Sequence, residues 1–409
     1  MAKEYKDLVV GLDIGTAKVM VVVAEVQAGG ELKLAGLGVA PSSGLKRGVV
    51  VNIDATVQSI QQALKEAELM ADCKITRVYT GITGSHIRGL NSGGMVAIKD
   101  KEVTPTDVAR VMETARAINI PSDQRLLLVE PQEFIIDGQA VKEPVGMSGI
   151  RLEAKVHIVT GAQSAAENII KCVRRCGLEV EHLMLNPQAS SLSVLSQDER
   201  ELGVVLVDIG AGTTDVAIFT YGSIRHTAVI PIAGDLITSD IAMALRTPTK
   251  DAEDIKVDNG CAKQLLADPE VQVEVPGLGD RPPRMLSRQV LAGVIEPRVE
   301  EIFSLVQHVI RDSGFEEVIS SGIVITGGSA IMPGMVELGE DIFLKPVRRG
   351  KPRYNSALAD MVAHERAATV MGLLEEARMT RLRGFKQAQK YGSMRTALDR
   401  AKDWFVGNF

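Results

Sequence analysis

Residues 207–219 read VDIGAGTTDVAIF, and residues 12–23 read LDIGTAKVMVVV. Each is an apolar run, an Asp-Ile-Gly, two or three small or polar residues, and a second apolar run. Val- and Ile-rich runs flanking a glycine turn read as β-hairpins. One such hairpin says only that the chain reverses tightly. Two, with Asp13 and Asp208 offset by 195 residues, say that the chain is built from two related halves.

The surroundings repeat as well. After the first hairpin, residues 32–52 continue as strand, and NIDATVQSIQQALKEAELMADC (52–73) has helical spacing behind a capping signal at Asp54. After the second, residues 203–245 again run strand, strand, strand, helix. Between the copies, residues 85–160 read as an insertion: TPTDVARVMETARAI (104–118) places Thr104 and Pro105 at a helix start, and EFIIDGQ (133–139) and IRLEAKVHIVTG (150–161) read as strands. Residues 164–196 read helix, strand, helix, and 247–312 hold two helices around the loop VPGLGDRPPR (275–284). A third glycine signature follows a buried-strand run in GIVITGGSAIMPGM (322–335).

Length and composition set bounds. At 409 residues, with 45% hydrophobic residues, the chain is globular and long enough for two or three lobes. Its net charge of −6 argues against non-specific nucleic-acid binding, so no nucleic-acid partner is expected. The charge is uneven, however: residues 378–409 carry eight Lys/Arg against two Asp, net +6, which leaves −12 on the preceding 377 residues. The opening MAKEYKDLVVGLDIG lacks an apolar signal region, and no apolar run approaches the roughly 20 residues of a bilayer span. These features predict a cytoplasmic body. Cys73, Cys172, Cys176 and Cys261 are too few and scattered for a disulfide framework or metal site and read as reduced, buried thiols.

The glycine turns suit an anion, because consecutive backbone N–H groups converge in such a nest. Phosphate is the natural candidate. Asp13 or Asp208 beside it would repel phosphate directly, but can hold a hydrated Mg²⁺ that bridges phosphate oxygens. Lys18 would neutralise an oxygen, and Thr16, Thr213 and Thr214 supply hydroxyls. There is no G-x-x-x-x-G-K-[ST], and GAGTTDV runs into a strand where the dinucleotide fingerprint demands a helix.

In order along the chain, the two hairpins, IAGDLIT (232–238) and GIVITGGSAIMPG (322–334) resemble the actin, Hsp70 and sugar-kinase superfamily. Within it, GLDIGTAKV, VDIGAGTTDVAIF, ALRTPTKDAEDIKVDNGCA (244–262) and GDRPPRMLSRQVLAGVIEPRVEE (279–301) resemble the FtsA family of bacterial cell-division proteins. The resemblance implies an α/β, actin-like (ribonuclease H-like) duplicated two-lobe ATPase fold, with a small inserted α/β subdomain replacing the actin-type small lobe. The implied division is 1–84, 162–200 and about 355–378 for the first core; 85–161 for the insert; 201–245 and 313–354 for the second core; and 246–312 for a small subdomain. A linker at 379–392 and a terminal helix at 393–409 follow.

The resemblance also implies ATP with Mg²⁺ between the lobes. Asp13, Gly15, Thr16, Ala17 and Lys18 match the first phosphate segment, and Asp208, Gly210, Ala211, Gly212, Thr213 and Thr214 the second. Gly327, Gly328 and Ser329 match the adenosine segment, Gly234 lies near the ribose, and Glu253 and Lys256 fall near base or ribose or stand as exposed helix charges. Gln188 occupies the place of a water-orienting side chain, or simply opens a helix after Pro187. At most slow hydrolysis is expected. Implied partners are the FtsZ C-terminal tail, other copies of the chain in filaments, further division proteins and membrane lipid at the cytoplasmic face of the cell membrane, at the division septum. Arg284, Arg288 and Arg298 lie on or beside one helix of the small subdomain and are candidates for reading the carboxylates of that tail. A sugar-kinase-type phosphotransferase or Hsp70-type chaperone are the competing classes. Neither a substrate-pocket aspartate nor a peptide-binding domain after residue 378 is legible.

The tail stands on its own residues. At 100° per residue, Met394, Ala397, Leu398, Ala401, Trp404, Phe405 and Phe409 fall within an arc of roughly 140°. Arg395, Arg400 and Lys402 rim it, where basic heads reach anionic lipid while their stems stay apolar. Five of the chain's 14 aromatics, including its one Trp, lie in the last 32 residues. A helix that docks on the body gives the same period, but the basic flank favours a lipid surface.

Overall fold

In the computed structural model, which describes residues 7–354 and 358–390, both Asp-Ile-Gly segments are hairpins in the middle of two separate five-stranded sheets. In the first lobe, β1 (Leu8–Ile14) and β2 (Lys18–Val26) pair antiparallel with Asp13 opposite Met20, and β3 (Leu32–Pro41) follows. A miniature hairpin, β4 (Leu45–Lys46) and β5 (Val49–Val50), leads to α1 (Ile53–Ala71) and then β6 (Arg77–Ile82), parallel to β1. The N-cap of α1 is Asn52, whose side chain accepts from the Ala55 N–H. Asp54 sits in the first turn, where its charge complements the helix dipole rather than capping it. The face of α1 that carries Val57, Ile60, Ala63, Leu64 and Ala67 is buried on the sheet, each larger aliphatic contributing about 1.5–3 kcal/mol.

The insertion forms its own layer: β7 (Arg88–Ala97), α2 (Pro105–Arg116), β8 (Gln124–Ile136), β9 (Gln139–Val141) and β10 (Arg151–Ala162), in the sheet order β7-β10-β8-β9 with α2 packed against it. Thr104 and Asp107 close a capping box at the start of α2, with Pro105 in first position, as the sequence predicts. The insert leaves the first lobe but touches the second. His157 on β10 bonds Asn91 Oδ1 at 2.7 Å and Thr227 Oγ1 at 2.9 Å. Burial holds this imidazole down to a pKa of about 4, so it bonds as a neutral ring.

The chain returns through α3 (Gln163–Arg175), β11 (Glu179–Leu185), α4 (Asn186–Val194) and α5 (Gln197–Leu202). The second lobe then repeats the first with β12 (Val204–Ile209), β13 (Thr214–Thr220), β14 (Ser223–Ile230) and α6 (Gly234–Leu245). After α7 (Thr249–Asn259), the hairpin β15 (Gln272–Val275) and β16 (Arg284–Ser287) and the long α8 (Arg288–Asp312), it closes with β17 (Ile323–Thr326), α9 (Met335–Phe343) and β18 (Val347–Arg349). The sheet orders β3-β2-β1-β6-β11 and β14-β13-β12-β17-β18 are the same topology twice. β12 and β13 are buried along their whole lengths, which explains their unbroken apolar runs.

The β15–β16 hairpin was not legible in the sequence. Residues of α7, β15 and α8 also share one hydrophobic cluster with β12, β13 and β17, so the 246–312 segment packs as a continuation of the second core. The short α10 (Ala359–Val362) precedes α11 (Ala368–Lys390), which lies across β1, β2 and α4 in the first lobe. A Cβ on Gly372 would stand 1.7 Å from the Ala189 carbonyl, so α11 and α4 meet backbone to backbone only because residue 372 is glycine. The helix continues to Lys390, into the segment expected as a linker; Arg378 and Arg381 pair with Glu375 and with Asp7 and Glu181, respectively. All four cysteines are free. Among the described residues, no helix is long and apolar enough to cross a membrane. The membrane candidates Met394, Leu398, Trp404, Phe405 and Phe409 lie outside the described residues.

Candidate functional site

The two hairpin turns close identically: the Gly15 N–H donates to the Lys18 carbonyl at 3.0 Å, and the Gly210 N–H donates to the Thr213 carbonyl at 2.9 Å. They face one another. A Cβ on Gly212 would lie 2.6 Å from Thr16 Oγ1 and 2.9 Å from the Arg47 Cα, so the second turn approaches the first closely because residue 212 has no side chain. Gly48, in the β4–β5 hairpin, donates its N–H to Thr16 Oγ1 at 3.2 Å and locks that loop over the same space. Between the lobes lies a cavity of about 410 Å³.

Asp13, Gly15, Thr16, Ala17 and Lys18 line the cavity, and Asp208, Gly210, Ala211, Gly212 and Thr213 face them. Gly327, Gly328, Ser329, Glu253 and Lys256 complete the wall. Ser329 Oγ donates to the Gly210 carbonyl at 2.9 Å, which ties the third glycine segment to the second. Lys256 is buried, with Nζ 2.6 Å from Glu253 and hydrogen-bonded to the Gly234 carbonyl at 3.1 Å and Thr238 Oγ1 at 2.8 Å. Glu253 and Lys256 are therefore cavity residues, not loose helix charges.

Three expected residues sit elsewhere. Thr214 is buried, and its hydroxyl donates to the Ile232 carbonyl at 2.8 Å, so it holds β13 to the turn before α6 and offers nothing to the cavity. Gly234 is one layer behind: its N–H donates to Gly210 and its carbonyl receives Lys256. Gln188, the third residue of α4, does not line the cavity; its backbone carbonyl receives the Ser191 hydroxyl at 2.7 Å. Asn186, the first residue of α4, lines it instead, and its Oδ1 is buried without a hydrogen-bond partner. That oxygen is covered on the β6 side, where a Cβ on Gly81 would stand 2.2 Å from it, so residue 81 has to be glycine for Asn186 to sit there.

Sequence reasoning also missed Asp215, Thr83, Thr369 and Arg366, all of which line the cavity. Asp215 was detectable. The 195-residue offset sets it against Met20, and a carboxylate at a position the first copy gives to a buried methionine marks the second copy as chemically different. Thr83 and Thr369 carried no such signal.

Electrostatically the cavity holds more buried carboxylate than it can keep ionised alone. Burial raises Asp13 to about 6, opposed by Lys18 and reinforced by Asp208. Burial raises Asp208 too, opposed by hydrogen bonds from Ser190 (2.6 Å) and Thr369 (3.3 Å). Asp215 is pushed up to about 8 by burial and then by the Asp208 charge, against a hydrogen bond from Thr83. Lys18 falls to about 8, chiefly through burial. Groups of this kind accept a cation readily, since it removes the cost of ionising them. Among the described residues, no three His, Cys, Asp or Glu side chains converge tightly enough to hold a bare metal ion.

The three arginines of the small-subdomain candidate surface are all engaged. Arg284 donates to the Leu245 carbonyl at 2.8 Å, and Arg288 to the Asn259 and Gly260 carbonyls. Arg298 grips Asp240 at 2.5 and 3.0 Å and pairs with Glu301.

Two duplicated sheets around a cleft between facing hairpins define an actin-like protein. Solved structures agree in fold: a PilM–PilN type IV pilus biogenesis complex (TM-score 0.64, 17% identity, 92% of this chain and 99% of that one), MreB 5 of Spiroplasma citri bound to AMPPNP (0.59, 16%, 94% and 100%) and a MamK double helical filament (0.52, 12%, 90% and 99%). A family model described as "Cell division protein FtsA" matches residues 205–372, and one described as "SHS2 domain inserted in FTSA" matches 84–160. The cell division protein FtsA of Pseudomonas aeruginosa is 54% identical over 98% of both chains, and that of Escherichia coli strain K12 is 44% identical over 99% of both. The chain belongs to the FtsA family of cell-division proteins.

Proposed function

We propose that the chain binds ATP with Mg²⁺ in the interlobe cleft and acts as a polymerising scaffold that ties FtsZ filaments to the cytoplasmic face of the cell membrane at the division septum. The observation that carries the nucleotide reading is the pair of facing turns, Gly15–Lys18 and Gly210–Thr213, on either side of one cavity. The turns offer backbone N–H groups to phosphate, and Lys18 adds a charge-assisted donor. The residues fit a metal–nucleotide pair: Asp13 and Asp208 are buried carboxylates that line the cavity, and burial raises the pKa of both, a cost that a cation would remove. Mg²⁺ would supply charge neutralisation of the phosphates, held through its water shell by Asp13 and Asp208. Asn186 can orient a water but is no base, which supports hydrolysis slower than about 1 per second. Calorimetric titration with ATP, with and without Mg²⁺, tests the reading; absence of Mg²⁺-dependent binding overturns it.

The scaffold reading is supported by family membership and by the actin-like fold, which among the proteins named above is shared by one that forms a double helical filament. Residues 393–409 supply the lipid attachment. The FtsZ C-terminal tail docks on the 246–312 segment, whose Met285, Val290 and Leu278 are exposed apolar side chains beside Arg284, the most exposed of its three candidate arginines. The insert is the surface for later division proteins and the neighbouring protomer. Filament formation on lipid monolayers with ATP distinguishes this reading from a phosphotransferase or a chaperone.

A further inference from the structure

The segment that leads into α11 is held at the cavity by both lobes. The Gly327 N–H donates to the Glu365 carbonyl at 3.3 Å, Lys18 Nζ donates to the Arg366 carbonyl at 2.6 Å, and Thr369 Oγ1 reaches Asp208 at 3.3 Å. The backbone at residue 366 is therefore fixed against the first turn on one side and the third glycine segment on the other. Its side chain follows: Arg366 lines the cavity, and its Cγ lies 3.8 Å from where a Cβ on Gly328 would stand.

What distinguishes Arg366 from the other cations of the cavity is that its charge is unused. Lys18 bonds a carbonyl and faces Asp13, and Lys256 is paired with Glu253. The neighbouring Glu365 is buried beside Arg349 at 3.8 Å. Among the described residues the Arg366 guanidinium has no hydrogen bond or ion pair, and the side chain is exposed to the cavity mouth. Lys18 and Arg366 line the same cavity, and Lys18 Nζ donates to the Arg366 backbone carbonyl, so the two cationic side chains share one space. A planar, permanently charged fork in that position suits a phosphate oxygen better than a lysine would.

We propose that Arg366 is a nucleotide contact, its guanidinium binding a non-bridging oxygen of the phosphate chain from the Gly327–Gly328 side, across from Lys18. This rests on the nucleotide reading above. It adds a phosphate ligand that comes from neither hairpin but from the segment that starts α11.

The test compares full-length wild type, Arg366→Gln and Arg366→Lys in calorimetric titrations with adenosine, ADP and ATP, all with Mg²⁺. Arg366→Gln is expected to weaken ADP and ATP about tenfold and leave adenosine unchanged, as one lost charge-assisted hydrogen bond implies. Arg366→Lys should recover part of the loss, and the wild-type advantage should shrink at 0.5 M salt. An unchanged ATP affinity in Arg366→Gln, with wild type binding normally, overturns the proposal. So does an equal loss for adenosine and ATP, which would place the side chain on the nucleoside or make it structural. A wild type that binds no nucleotide removes the nucleotide reading itself, and the proposal with it. Matched melting temperatures without nucleotide confirm that the exposed substitution leaves the fold intact.

Discussion

Thr83, just past the end of β6 in the first lobe, donates its hydroxyl to Asp215 on β13 of the second lobe at 2.5 Å. Both residues are buried and both line the cleft, so this hydrogen bond joins the lobes at the candidate site, alongside those from Ser190 and Thr369 to Asp208. Thr83→Val keeps the shape and removes the donor, leaving the Asp215 carboxyl short of a partner. A loss of about 1–3 kcal/mol is expected in urea unfolding, with Thr83→Ser close to wild type. A Val variant as stable as wild type would show that the bond contributes nothing.

Asp215 makes stability depend on pH. Its folded pKa of about 8 lies far above the usual carboxylate range, so between those values the folded chain holds a proton that the unfolded chain has released. Stability therefore falls as pH rises and levels off above pH 8. His157 works in the opposite sense, but only below about 6.5, where the unfolded ring charges and the buried one does not. Lys18, depressed to about 8, acts above that value. Between pH 6.5 and 8, where neither His157 nor Lys18 acts, Asp215 contributes a slope of up to about 1.4 kcal/mol per pH unit in the nucleotide-free protein. Asp215→Asn should flatten that slope. A wild-type chain equally stable at pH 6.5 and 8 contradicts the account.

Adjacent glycines should respond in opposite ways. Gly327 has φ of 86°, and a Cβ there would stand 2.4 Å from Asp208 Oδ1, whereas a Cβ on Gly328 meets nothing nearer than 3.8 Å. Gly327→Ala is expected to cost about 1–3 kcal/mol in stability and to impair Mg²⁺-dependent nucleotide binding by displacing Asp208. Gly328→Ala should fold normally. Thermal melts and nucleotide titrations of the pair check both halves.

Asn186 and Gln188 separate the observed geometry from the sequence expectation. If Asn186 orients the attacking water, Asn186→Ala lowers the single-turnover hydrolysis rate at least about tenfold while Gln188→Ala leaves it unchanged. The reverse ranking would restore Gln188 to the role its position in the sequence suggested.

Trp404→Glu replaces the one Trp, at the edge of the apolar arc of residues 394–409, with a charge. Co-sedimentation with anionic liposomes should be lost while nucleotide affinity survives, because the substitution lies far along the chain from every cavity residue. Unchanged lipid binding would remove the terminal helix as the anchor.

Much of this was legible because the physics was local. Asp13, Gly15 and Lys18, and Asp208, Gly210 and Thr213, sit in turns whose closing bonds span three residues, so a short stretch of sequence specifies the geometry. The insert helix announced itself through Thr104 and Pro105 for the same reason. Thr214 misled because a hydroxyl in a phosphate-like turn looks alike whether it faces the cavity or its own sheet. Strand alternation gives Thr214 and Thr213 opposite sides, but which side is the cleft depends on the other lobe. Gln188 failed through helix phase: two residues along α4 turn a side chain by about 200°, and Asn186 is the one at the helix mouth. Arg298, a candidate for a partner's carboxylates in the sequence, is instead paired with Asp240 of α6, a neighbour 58 residues away that no local pattern announces.

The sequence by itself determined the duplication, the two hairpins, the glycine turns and the class of ligand they suit, since each is written in spacing over a few residues. Only the tertiary structure decided that the turns face each other, that Asp215 and Asn186 complete the cavity, that Thr83 bridges the lobes and that Arg366 stands unpaired at its edge. Those contacts join residues more than a hundred positions apart, and burial, which shifts the carboxylates and orphans the Asn186 oxygen, exists only once both lobes have packed.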